Sequence, residues 1–177
     1  AEYMGKPLGK LKIDTLNPFV CIIMVGFKNR YFVMEVFLNP NEPTTGEDPI
    51  VLTQFNVSKA IKDSILLNFG EHGLASCLSS FQVKHVNPIT KICVLRSSRE
   101  EHKKVWAATT MVGRIGSCPV SFNLLDLSGS IRTCKVKALK IEEAKFELYR
   151  TAVGSKLTDD VSQMMHNALH KLQLLEN

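Results

Sequence analysis

The segment from Leu125 to Lys140, LDLSGSIRTCKVKALK, holds the densest set of groups able to bind an anion. A Ser128-Gly129-Ser130 turn follows an apolar run. Arg132, Lys135, Lys137 and Lys140 come next, with no acidic residue among them. A turn that opens a helix leaves backbone N–H groups without partners, and cations beside them suit phosphate oxygens. Arg132 and Lys135 stand three apart on one helical face, as do Lys137 and Lys140, so each pair can address one ligand. The same spacing also fits an ordinary solvated basic helix.

Two further basic clusters occur. Arg96 closes a strand-like run and Arg99 falls in the first turn of the helix after it, close to Lys103 and Lys104. A cation in a first helical turn opposes the helix dipole. An incoming phosphate would offset that, and so would an ion pair with Glu100 or Glu101. Lys28 and Arg30 enter the first strand and alone would be a charged strand end.

Nucleophile and metal patterns are thin, and no catalytic residue is assigned. His102 beside Glu100 and Glu101 lacks the H-E-x-x-H spacing that turns two histidines to one face of a helix. Cys77 and Cys93 with His85 could be a thiol and its base, but strand-borne cysteines flanked by Leu78, Ile92 and Val94 read as inert core. Gly70-Glu71-His72-Gly73 and Gly113-Arg114-Ile115-Gly116 are turns, not a phosphate-binding loop or a dinucleotide fingerprint. No metal or cofactor site is expected on the chain.

The elements that must position these groups follow from periodicity. Tyr31–Leu38 alternates as a strand, with Phe32, Met34, Val36 and Leu38 on one face. The other face carries Tyr31, Val33 and Phe37 and is too apolar for solvent, which makes it a candidate for covering by a helix or a partner protein. Asn39–Pro49 contains three prolines and reads as a mobile loop. Val57, Ile61, Ile65 and Phe69 step by four through a helix expected over 56–69, stopped by Gly70. Strands are expected over 78–86 and 91–97. A helix with a Ser98-to-Glu101 capping box follows, containing Trp106 as core and ended by Gly116, then a strand over 119–127. The order is β-α-β-β-α-β, a ferredoxin-like α+β sandwich with helices on one side of an antiparallel sheet.

Two more helices are expected, over 131–150 and 159–175. In the last, Val161, Met165, Ala168, Leu172 and Leu175 form a heptad stripe that packs on its own domain or on a partner subunit. Of these, Val161, Met165 and Leu172 are candidates for partner binding.

The chain has 177 residues, 45% hydrophobic, enough for one domain with a real core. Its net charge of +5 modestly favours an anionic partner. Five cysteines without C-x-x-C spacing read as reduced thiols. No apolar run reaches the roughly 18 residues that a membrane span requires. Nothing resembles a signal peptide, so the sequon at Asn56 carries no weight.

Taken in order, FKNRY (27–31), NFGEHG (68–73), the V-K-x-x-N and L-R-S-S-R elements between Val83 and Arg99, and SGSIRTCK (128–135) resemble the Pop-five family of ribonuclease P and ribonuclease MRP subunits. The resemblance covers Met24 to about Phe146. It leaves residues 1–23 as an N-terminal extension, makes 24–150 the RRM-like subunit domain, and sets 151–177 apart as a C-terminal helical segment. It implies a non-catalytic subunit that packs on a TIM-barrel protein and other subunits and buttresses a catalytic RNA bearing divalent metal. The particle would cleave precursor tRNA 5′ leaders or precursor ribosomal RNA, in the nucleus and nucleolus. No membrane and no small-molecule substrate is implied. The expected RNA contacts are Lys28, Arg30, Arg96, Arg99, Ser128, Gly129, Ser130, Arg132, Lys135, Lys137 and Lys140. RNA-recognition domains stack bases on aromatics of their central strands, but KICVLRSS (91–98) has none, so phosphate and shape recognition is expected instead. Two other readings stay open: a protein adaptor without RNA contact, and a metabolite-sensing ferredoxin-like domain.

Overall fold

The computed structural model describes residues 28–38, 52–154 and 159–175. The readings made for residues 1–23 and for the 39–49 loop lie outside them. Elements run β1 (Asn29–Leu38), α1 (Gln54–Leu78), β2 (Gln82–Asn87), β3 (Ile92–Ser98), α2 (His102–Thr110), β4 (Arg114–Ile115), β5 (Cys118–Ser128), α3 (Ile131–Val153) and α4 (Asp159–Gln173). The strands form one antiparallel sheet in the order β2-β3-β1-β5-β4. Without the short β4, this is the split βαβ order expected from the sequence.

The two faces of β1 build two cores. Phe32, Met34 and Val36 meet Val57, Ile61 and Ile65 of α1 and Val105 and Ala108 of α2. On the opposite face, Tyr31 and Val33 join Ile92 and Val94 of β3 with Ile131, Cys134 and Ala138 of α3 and Leu172 of α4. The helices therefore lie on both faces of the sheet, not on one. Tyr31 and Val33, candidate partner contacts by pattern, are 1% and 0% exposed. Their apolar face is covered by the chain's own helices. Met165 and Leu172 are buried for the same reason, and Val161 is half-buried on that stripe. Only Phe37 of the partner set stays open, at 49% exposure.

Local chemistry sets the boundaries. Thr53 caps α1, its Oγ1 accepting the Asn56 N–H at 3.1 Å. The helix breaks at Gly70 (φ 68°, ψ −174°), where the expected stop lies, and then resumes to Leu78. That backbone region is essentially closed to other residues. The expected Ser98-to-Glu101 capping box does not form: α2 starts at His102 with Glu101 as its N-cap, and the Ser98 Oγ that accepts the Glu101 N–H at 3.2 Å closes the turn before it, which holds Arg99. The α2 helix ends at Thr110, short of Gly116, because residues 114–119 turn into the β4–β5 hairpin. Asp159 and Asp160 open α4, and His170 and Lys171 close it, matching its dipole.

Polar contacts pin α3 across the sheet at three places. Asp126 of β5 binds Lys137, Glu35 of β1 binds Lys145, and His85 of β2 binds Glu142. The last is fully enclosed. Glu142, 0% exposed, receives His85 Nε2 at 2.9 Å and Asn87 Nδ2 at 3.0 Å, while the Asn87 side-chain oxygen accepts the Ile89 N–H at 3.0 Å. His85 is thus committed to a carboxylate. Cys93, fully buried, has its thiol pushed up to about 12 by burial, which leaves no thiolate for a nucleophilic role near neutral pH. Trp106, expected in the core, is 41% exposed on the outer side of α2.

Candidate nucleic-acid interface

One end of the sheet gathers the basic residues. The Ser128–Ser130 turn brings the start of α3 beside the start of β1, because Ser128 pairs with Tyr31 in the β1–β5 ladder. Lys28, Asn29, Arg30, Tyr31, Gly129, Ser130, Ile131 and Arg132 line an open groove of about 710 Å³ there. Ser130 is the N-cap of α3 and makes no side-chain cap hydrogen bond among the described residues, so the first-turn N–H groups lack that partner where Ser130, Ile131 and Arg132 line the groove. Arg30 Nη1 donates to the Asn29 carbonyl at 3.1 Å and would stand 3.3 Å from a Cβ at position 129. Gly129 therefore lets the guanidinium lie close against the turn. Arg99 joins the group through its backbone, its N–H donating to the Lys28 carbonyl at 2.7 Å. Lys28, Arg99 and Arg132 are exposed and have no acidic partner among the described residues.

Arg96 lies on the same row of residues. Ser128, Tyr31, Arg96 and Gln82 face one another across β5, β1, β3 and β2. At about 4.8 Å per strand, Arg96 starts about 10 Å from Ser128. It is half-buried, its Nη1 is 3.5 Å from Gln82 Oε1, and its Nε is buried with no hydrogen-bond partner among the described residues. Burial first, and then the charge of Arg96, hold the Lys84 ammonium below its usual range. Lys84, absent from the expected set, is a half-buried cation of β2 near Arg96. Its place in the V-K-x-x-N element was the signal available in the sequence.

Four expected contacts are spent elsewhere or lie apart. Ser128 is buried and its hydroxyl donates to Asp126 Oδ2 at 2.6 Å. Lys137 binds Asp126 Oδ1 at 2.5 Å. Burial raises the Asp126 carboxyl, but the hydrogen bonds from Lys137 and Ser128 and the Lys137 charge outweigh it and hold the group below its ordinary value. Lys135 donates to the Gln173 and Leu175 carbonyls at 2.7 and 3.1 Å, closing the C-terminus of α4. Lys140 is exposed, but at 1.5 Å per residue it sits about 13 Å along the helix from Ile131.

The geometry suits phosphates better than bases. The sheet face opposite α1 and α2, which RNA-recognition domains use to stack bases, lies beneath α3 and α4 here. What remains is a basic groove at a helix start, the arrangement that holds phosphate oxygens through N–H groups and cations.

A family model described as the Rpp14/Pop5 family matches residues 30–139, more than half of the chain. This chain belongs to the Rpp14/Pop5 family. It is 59% identical over 155 residues to an Arabidopsis thaliana protein described as a probable ribonuclease P/MRP protein subunit POP5, covering 87% of this chain and 100% of the relative. A human ribonuclease P/MRP protein subunit POP5 is 32% identical, covering 63% and 68%. Among solved structures, a chain of the cryo-EM structure of yeast ribonuclease MRP aligns with a TM-score of 0.45 at 14% identity, covering 68% of this chain and 95% of that one. As an Rpp14/Pop5 member, this chain keeps its basic groove inside the matched span, apart from Lys28 and Asn29 at its margin.

Proposed function

We propose that this chain is a non-catalytic protein subunit of a ribonuclease P or ribonuclease MRP ribonucleoprotein. In this reading it binds and stabilises the catalytic RNA for removal of precursor tRNA 5′ leaders, processing of precursor ribosomal RNA, or both. Other protein subunits of the particle, a TIM-barrel protein among them, are its partners, and its place is the nucleus and nucleolus. Support for the particle comes from the names of its relatives. Support for RNA contact rests on one observation: Lys28, Arg30 and Arg132 converge with the Gly129-Ser130 turn on the groove at the start of α3. These cations would screen phosphates that otherwise repel each other as the RNA folds. Divalent metal on the RNA would carry the hydrolysis. This chain supplies no step of it.

A salt titration tests the reading. Binding of the full chain to the particle's RNA is measured from low to moderate salt, for the wild type and for Arg30→Ala combined with Arg132→Ala. Each phosphate contact contributes about 0.7 to 0.9 to the log–log slope, so the double variant should lose roughly 1.4 to 1.8 and bind more weakly. An unaltered slope removes the groove from the interface. An RNA-free adaptor role, the competing reading, would show no RNA affinity in either protein; the exposed Phe55 and Leu67 on α1 offer such an adaptor a surface.

A further inference from the structure

The far end of β1 carries features that the basic groove leaves unused. Glu35, Phe37, Thr90, Lys91, Lys145 and Leu148 line a pocket of about 310 Å³ between β1, the turn joining β2 to β3, and the second half of α3. Along the strand, Phe37 lies seven residues from Arg30, or about 24 Å at about 3.4 Å each. Two large apolar side chains stand open there: Phe37 is half exposed and Leu148 is 72% exposed. Thr90 is only 6% exposed, and its Oγ1 has no hydrogen-bond partner among the described residues. A buried hydroxyl left unmatched is costly. The charges are uneven as well. Glu35 is already neutralised by Lys145. Lys91 is exposed and has no carboxylate partner among the described residues. Its backbone sits at φ 58°, a region uncommon for residues other than glycine. The Lys91 carbonyl accepts the Val36 N–H at 2.8 Å, which fixes this residue beside β1.

We propose that this pocket receives a segment of a different protein, which seats one apolar side chain against Phe37 and Leu148 and sets an Asp or Glu carboxylate on Lys91. A large side chain anchored in a pocket, with a charge at the rim, is the pattern that concentrates interface energy. Charge complementarity chooses the occupant. The unpaired charge is positive, so an acidic flank is attracted and a basic one repelled. A second copy of the chain, itself at +5, would bring its own Lys91 to a two-fold contact. An RNA strand would find one unpaired cation and a carboxylate here, in place of the convergent cations of the groove. A main-chain N–H of the inserted segment would give Thr90 Oγ1 the partner it lacks. The inference stands apart from RNA contact, which uses the opposite end of β1.

A photo-crosslinking side chain at the exposed position 148 tests this in the full chain. Leu148→p-benzoylphenylalanine is produced in the native cells, the extract is irradiated, and the joined peptides are identified by mass spectrometry. The expected product links position 148 to one other protein, at an apolar residue within about four positions of an Asp or Glu, the reach of neighbours on a helix. The crosslink should survive digestion of the RNA before irradiation. Lys91→Glu sets like charges together and should lower the yield by about ten-fold or more, with the thermal midpoint unmoved. Changing the partner's carboxylate to lysine should restore it. Lys91→Gln removes the attraction without adding repulsion and should give a smaller loss. No protein crosslink, a crosslink lost with the RNA, a crosslink only to a second copy, or a yield untouched by both Lys91 variants overturns the proposal.

Discussion

Glu142 is the most exacting test of how α3 is held over the sheet. Its carboxylate is fully buried and receives His85 and Asn87 at 2.9 and 3.0 Å. Glu142→Ala leaves two buried polar partners unmatched and opens a void beneath α3. Removing one side of such a buried pair costs about 3–5 kcal/mol. For a chain of this size, each kcal/mol moves Tm by about 2–4 °C, so a fall of roughly 10 °C is expected. Glu142→Gln keeps the shape and an acceptor, and should cost about 1–2 kcal/mol. Urea unfolding measures both, and a cycle with His85→Ala should show a coupling of at least about 1 kcal/mol, since the two side chains touch. A Glu142→Ala variant within 1 kcal/mol of the wild type, or additive with His85→Ala, would refute the clasp.

Three other outcomes follow from the same contacts. Gly70→Ala forces a Cβ into a backbone region reserved for glycine and should cost about 1–3 kcal/mol by urea unfolding, although no atom stands in its way. Asp126 has a depressed folded-state pKa, so its stabilisation is present above the unfolded value of 3.8 and is lost as pH falls through the folded one. Wild type and Asp126→Asn should differ in Tm at neutral pH and converge in the acid range below 3.8. Lys135→Ala removes the donor that closes α4, and hydrogen exchange should rise at the end of that helix while the β1 and β3 amides keep their protection.

Much of this architecture is written in periodicity. The alternation through β1, the four-residue step through the first part of α1 and the stripe on α4 predict the elements that form. The stop at Gly70 is only a kink: α1 resumes through the Gly70–Gly73 segment read as a turn and reaches Leu78, read as the start of a strand that begins at Gln82. Pattern also flags the second face of β1 as too apolar for solvent. It cannot say what covers it, because an apolar face reads the same toward a partner as toward the chain's own α3 and α4. The basic turn was legible as a cluster, and its division was not. Lys135 meets α4 and Lys137 meets Asp126 only after the chain folds, and helical spacing carries no information about such distant partners. The His85–Glu142 pair, 57 positions apart, left no local trace for the same reason. Cys93 was legible as core because Ile92 and Val94 flank it, and it is buried; Cys77 is buried as well, but on α1 rather than on the strand expected there.

The central claim is that the groove at the start of α3 touches a structured RNA. The most direct measurement is to tag the protein in its native cells, purify it gently, crosslink, and identify both the RNA and the crosslinked residues. The account predicts a dominant ribonuclease P or MRP RNA, joined to the chain at Lys28 to Arg30 and at Gly129 to Arg132. A protein-only assembly with no enriched RNA, or crosslinks confined to the outer faces of α1 and α2, would contradict it.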